Sequence, residues 1–175
     1  MRFSELVEYW RLEVSNKKRV KSRIGLGSNI IARARKHNTA RYLFFFRLSQ
    51  YLYQKGGITG AYGSRMHRKL NLVYGVDIGL RAKIGPGLKI AHLPGIVISG
   101  YVNIGRNFTI RQNTTVGIKT LGREDYSIYI GDDVSVGANC CIIADHITIG
   151  DRVTIGAMSF VNKDIPSDNV FYTKR

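Results

Sequence analysis

The side chains of this 175-residue chain best suited to proton transfer, nucleophilic attack or metal binding are four histidines and two cysteines. A neutral imidazole titrates near neutrality, so each histidine is able to take a proton from a hydroxyl or to bind a metal. Context separates them. His37 and His67 stand in a basic stretch with no recognisable carboxylate or metal-ligand spacing. His146, in Asp145-His146 before Ile147-Thr-Ile-Gly150, falls where a polar turn residue is expected. His92, in Ile90-Ala-His-Leu-Pro-Gly95, taken alone reads as a surface histidine at a corner of the chain. Cys140 and Cys141 are adjacent, which is neither a disulfide framework nor a zinc-ligand spacing, and they point to a reducing cytosol.

The elements that must hold these groups announce themselves as a repeat. Aliphatics recur every six residues at Ile78, Ile84, Ile90 and Ile96; at Ile98, Ile104, Ile110 and Val116; at Ile130, Val136 and Ile142; and at Ile143, Ile149, Ile155 and Val161. Glycine or another small residue usually follows, and a second inward position four residues on takes Ala82, Leu88, Val102, Phe108, Val134, Cys140, Val153 and Ser159. A six-residue period fits neither a helix nor simple strand alternation, but it fits a short strand and a turn forming one flat face of a solenoid. Three faces per coil predict a triangular prism of parallel strands, with glycine where a side chain would obstruct the corner. The ladder breaks between Val116 and Ile130, which predicts an extruded polar loop over 118–128.

Composition divides the chain. With 44% hydrophobic and 22% charged residues it can bury a core, so whole-chain disorder is excluded and at most about two domains are needed. Residues 1–75 carry a net charge of +13 and residues 76–175 one of +2, predicting a basic, mainly helical segment over 1–75, the prism over 76–166 and a tail over 167–175. Apolar positions fit helices over 3–14 and 40–55, separated by the basic run Lys17–Arg23, while 56–64 reads as a linker-like break. No apolar run is long enough to cross a bilayer, and the N-terminus does not read as a secretory signal. Six of the 18 aromatics lie between Tyr42 and Tyr53 among basic residues. That segment is expected to cap the prism's open end, or to lie on an anionic membrane surface, or to steer an acidic polysaccharide. Nucleic acid is the least expected partner, since no binding module accompanies the charge.

The stretch from Val76 to Ile98, Val-Asp-Ile-Gly-Leu-Arg-Ala-Lys-Ile-Gly-Pro-Gly-Leu-Lys-Ile-Ala-His-Leu-Pro-Gly-Ile-Val-Ile, resembles the active-site segment of serine acetyltransferases, which are hexapeptide-repeat acyltransferases. The resemblance implies an all-β solenoid core, a left-handed parallel β-helix, behind an N-terminal α-helical basic segment. In that family an Asp followed 15 residues later by a His forms the catalytic dyad, and Asp77 and His92 stand at that spacing. His92 is thus expected to be the general base that takes a hydroxyl proton as the oxygen attacks a thioester, with Asp77 holding the ring and no acyl-enzyme formed. The implied co-substrate is acetyl-CoA, with no metal, lying in a groove between neighbouring prisms of a homotrimer that can pair as a dimer of trimers. Gly137, Ala138, Gly156 and Ala157 match its backbone contacts, and Lys163, Lys174 or Arg175 would meet its phosphates.

Departures from the family bear on the acceptor. The Asp expected before the catalytic His is Ala91, and the Arg-His pair that grips the amino acid's carboxylate falls on Tyr126 and Ser127, leaving Asp125 alone kept. Loss of charge for both ends of a zwitterion argues against free serine and toward a saccharide hydroxyl. The chain is accordingly read as resembling bacterial capsule and exopolysaccharide O-acetyltransferases of the colanic acid type more closely, and as cytoplasmic, at the inner face of the membrane. Serine O-acetylation, for cysteine biosynthesis, is the alternative. A zinc carbonic anhydrase would need three histidines where the ladder has only His92 and His146. The non-enzyme alternative is a structural hexapeptide scaffold.

Overall fold

The computed structural model describes residues 1–15 and 23–173, so Lys174, Arg175 and all but the last residue of the basic run lie outside the described residues. The chain divides into two compact units, Met1–Tyr74 and Gly75–Arg175.

In the second unit the six-residue period becomes five coils. The first holds β1 (Val76–Ile78), β2 (Lys83–Ile84) and β3 (Lys89–Ile90). The second holds β4 (Ile96–Ile98), β5 (Val102–Ile104) and β6 (Thr109–Ile110), and the third β7 (Thr115–Gly117), β8 (Ser127–Ile130) and β9 (Ser135–Val136). The fourth holds β10 (Cys141–Ile143), β11 (His146–Ile149) and β12 (Thr154–Ile155), and the last β13 (Phe160–Val161) and β14 (Val170–Phe171), with Ile165 bridging to Ile149 in place of a middle strand. Strands of successive coils pair in parallel to give three sheets: face A (β1-β4-β7-β10-β13), face B (β2-β5-β8-β11) and face C (β3-β6-β9-β12-β14).

Two positions per face point to the axis. Ile78, Ile98, Ile110, Val116, Phe108 and Val134 are at most 1% exposed, and each such side chain contributes about 1.5–3 kcal/mol by leaving water. One frame expectation is corrected: Ile143 is only half-buried, and Ile142 and Ile147 fill the core on either side of it. The glycines at the turns serve close approach between coils. A Cβ on Gly85 would sit 2.6 Å from the Gly105 carbonyl oxygen, and one on Gly137 2.5 Å from the Ala157 amide nitrogen. At the turns leaving faces B and C a positive φ is taken up by residues such as Asn107, Asp133, Asn113 and Asn139.

The helical unit holds α1 (Phe3–Tyr9), continued as a π-helix over Trp10–Val14, then α2 (Arg23–Lys36), α3 (Asn38–Tyr53) and α4 (Gly57–Tyr74). The expected linker at 56–64 is therefore helix. Gly60 and Gly63 are there because α4 lies close against α3: a Cβ on Gly63 would fall 2.8 Å from the Tyr53 amide nitrogen. Tyr42, Leu43 and Phe46 of the aromatic segment are buried, and Trp10 stacks on Phe44 at 4.4 Å. Arg47 and Glu13, both buried, form a bidentate pair at 2.7 and 2.9 Å; removing either partner would cost about 3–5 kcal/mol. No described helix is long and apolar enough to cross a membrane.

Candidate active site

Each turn of the prism belongs to one of three edges, and the edges differ in what they display. The B-to-C edge is filled by its own backbone. Gly85, Gly105, Gly131 and Gly150 stack there, and carboxylates cap the preceding coil's amides: the Arg106 N–H donates to Asp132 Oδ1 at 2.7 Å and the Asp132 N–H to Asp151 Oδ1 at 2.7 Å.

The C-to-A edge carries His92. Its turn, residues 91–95, leaves β3 and is fastened by the Gly95 N–H donating to the Gly75 carbonyl at 2.8 Å, just before β1. Asp77 is the central, outward-facing residue of β1, with Val97 as its register partner in the next coil. The turn that holds His92 and the strand that holds Asp77 therefore meet at one edge, and both residues are exposed to solvent, as is Ala91. Farther along this edge come Gly137-Ala138 and Gly156-Ala157, one coil above the other, with the Gly137 N–H donating to the Ile155 carbonyl at 2.8 Å. From His92 to Ala157 the edge climbs about three coils, roughly 14 Å at the strand spacing. A single edge thus aligns an imidazole with a run of backbone able to cradle an extended ligand.

The A-to-B edge is built differently. After β7 the chain leaves the prism for residues 118–126, and the loop is pinned from below by Asp145, whose Oδ1 accepts the Lys119 and Thr120 N–H groups at 3.1 and 2.8 Å. Those amides hold the Asp145 carboxyl below the ordinary carboxylate range, the Thr120 amide foremost. The Tyr126 hydroxyl closes the loop by donating to the Thr120 carbonyl at 2.7 Å and accepting the Arg123 N–H at 3.0 Å, while its ring lies 4.6 Å from that of Tyr101. Ser127 opens β8 and donates its N–H to the Asp145 carbonyl. Arg123 grips Asp125 with two hydrogen bonds, 2.8 and 2.6 Å, and this contact brings the Asp125 carboxyl down to about 2. His146 stands with its Nε2 3.5 Å from Asp125 Oδ2. A cavity of about 330 Å³ beside them is lined by Lys119, Ile143, Ala144, Asp145, His146, Phe160 and Asn162. Lys163 follows on this same edge, away from the other residues expected to touch acetyl-CoA.

The structure thus gathers His92, Asp77, Ala91 and the two Gly-Ala pairs at one edge and Asp125, Tyr126, Ser127 and Lys163 at another. Sequence reasoning passed over Arg123, Lys119 and Asp145, and took His146 for a turn residue; it is the first residue of β11, turned outward. The signal was available in the period, since a loop inserted before β8 must overhang the start of β11 in the next coil. Among the described residues no three of His, Cys, Asp and Glu cluster as a metal site.

No family model matches the sequence. The chain is similar to serine acetyltransferase 3, mitochondrial, of Arabidopsis thaliana, 38% identical over 101 residues covering 58% of this chain and 26% of the relative. It is 35% identical to the serine acetyltransferase of Buchnera aphidicola over 124 residues, 69% of this chain and 46% of the relative. The chain thus spans less than half the length of either. Among solved structures, serine acetyltransferase isoform 3 of Entamoeba histolytica, in complex with cysteine, superimposes with a TM-score of 0.74 at 26% identity, over 98% of this chain and 58% of that one. Neisseria gonorrhoeae serine acetyltransferase, in complex with serine, gives 0.74 at 25% identity over 98% and 66%. The fold is the left-handed parallel β-helix with a helical N-terminal segment. These relatives correct the expectation of a saccharide acceptor and of a closer likeness to capsule and exopolysaccharide enzymes. That expectation counted charges at three fixed positions, Ala91, Tyr126 and Ser127, whereas the loop sets Arg123 against Asp125 within a few residues of the last two.

Proposed function

We propose that this chain is an acetyl-CoA-dependent O-acetyltransferase of the serine acetyltransferase kind, acting on the hydroxyl of a small amino acid. The observation that carries the reading is the C-to-A edge, where the His92 turn is tied beside the strand bearing Asp77 and continues into the stacked Gly-Ala turns.

In the reaction, the acceptor hydroxyl oxygen attacks the thioester carbonyl while His92 takes its proton, and collapse of the tetrahedral intermediate expels the CoA thiolate. His92 then returns the proton to the departing sulfur. Asp77 orients the imidazole and stabilises it when charged. The pantetheine arm runs along Gly137-Ala138 and Gly156-Ala157, whose lack of bulk lets backbone groups approach it. On one prism the loop and His92 lie on different edges, separated by the whole of face A. In the homotrimer the loop of one copy therefore serves His92 of another.

The test is initial CoA release from acetyl-CoA with L-serine, for wild type and His92→Ala. Turnover that disappears in the variant supports the reading. Equal rates in the two proteins, or none on L-serine, would sink it.

A further inference from the structure

The serine acetyltransferase reading, on which the following rests, leaves the acceptor's two charges without obvious partners. A free amino acid is selected by a cation and an anion held side by side, because either alone would admit any carboxylate or any amine. Ala91, Tyr126 and Ser127 are uncharged, and the Tyr126 hydroxyl is committed to the loop's own backbone. The charged or titratable groups over residues 119–125 of the loop and over residues 144–146 beneath it are Lys119, Arg123, Glu124, Asp125, Asp145 and His146. Asp145 is occupied by two loop amides. Arg123 and Asp125 are left as one bidentate pair, 43% and 60% exposed, with His146 against the same carboxylate oxygen that meets Arg123 Nη2.

We propose that Arg123 and Asp125 form the clamp that selects a zwitterionic acceptor: on binding they exchange contact with each other for contact with the substrate's carboxylate and ammonium. The exchange is neutral in charge. An internal ion pair and a solvated zwitterion become two ion pairs across the site, and no covalent bond changes. Opening the pair loses little, because an ion pair this exposed is weak in water. His146 keeps the Asp125 carboxylate seated on the coil while the longer guanidinium swings.

The experiment compares L-serine with L-serinamide, which lacks the carboxylate, and 3-hydroxypropionate, which lacks the ammonium. Arg123→Gln should raise the KM for L-serine by about tenfold or more, with a far smaller change in the KM for acetyl-CoA, and should erase the preference for L-serine over L-serinamide. Asp125→Asn should erase the preference over 3-hydroxypropionate. The charge-swapped double variant, Arg123→Asp with Asp125→Arg, keeps an internal ion pair but misplaces both charges for the substrate, so it should not recover the KM. Recovery in the swap, or discrimination unchanged in the single variants while wild type acetylates L-serine, would overturn the clamp and leave the enzyme reading standing. A wild type inert toward L-serine would overturn both.

Discussion

The C-to-A and A-to-B edges of the prism rest on the same coils yet present different matter to a ligand. Along the first, turns of fixed length bring backbone into register, so that Gly137-Ala138 sits over Gly156-Ala157 by the same contacts that stack the coils. Along the second, a loop held at its foot by Asp145 presents Lys119, Arg123 and Asp125 beside His146 of β11. A site made of stacked backbone cannot be altered without altering the fold, whereas a site made of loop side chains changes with single substitutions. On the function proposed above, donor recognition is fixed by architecture and acceptor recognition is adjustable.

The sharpest division comes from His92. Replacing it by Ala should lower the CoA-release rate about 10²–10⁴-fold, the usual contribution of a general base, and leave the melting temperature unchanged because the side chain is exposed. Next, equal amounts of His92→Ala chains and of chains whose loop 119–126 is replaced by a short turn can be unfolded together and refolded. If the edges work in pairs across copies, about one quarter of wild-type activity returns from two inactive proteins; no return would mean each edge serves its own copy. Gly137→Ala should then destabilise the prism by about 1–3 kcal/mol in a denaturant titration, because the added Cβ meets backbone. Gly122→Ala, on the loop, meets nothing within 4 Å and costs only the strain of its positive φ.

Acid gives the smallest effect and the cleanest contrast. Both loop carboxyls are lowered on folding, so the anchoring they supply is complete above the ordinary carboxylate value near 4 and fades as pH falls through the lowered values, about 2 for Asp125. Amide exchange at Lys119 and Thr120, corrected for its intrinsic pH dependence, should quicken over that window. The Gly95 and Gly137 amides, which donate to carbonyls, should not respond.

How much of this was legible follows from the range of the interactions. The prism's faces and its inward column could be read because each coil repeats the same local requirement, and even the misframed Ile143 differs from the true core position by one residue. The helical unit could be read only in part. Gly60 and Gly63 look like a break in the sequence, and only the nearness of α3 shows that they are contact points. Arg47 reads as surface charge until Glu13, 34 residues earlier, is found against it. His146 and Asp125, 21 residues apart, likewise meet through the solenoid's stacking, which no local pattern records.

The pairing of each strand only with the coils above and below it has a mechanical consequence. A pull on β14 loads the bonds of one coil at a time, since among the described residues β14 pairs on face C with β12 alone. Under tension from that end the prism should come apart like a wound spring, in steps of roughly 20 residues, each releasing on the order of 6–7 nm of contour length.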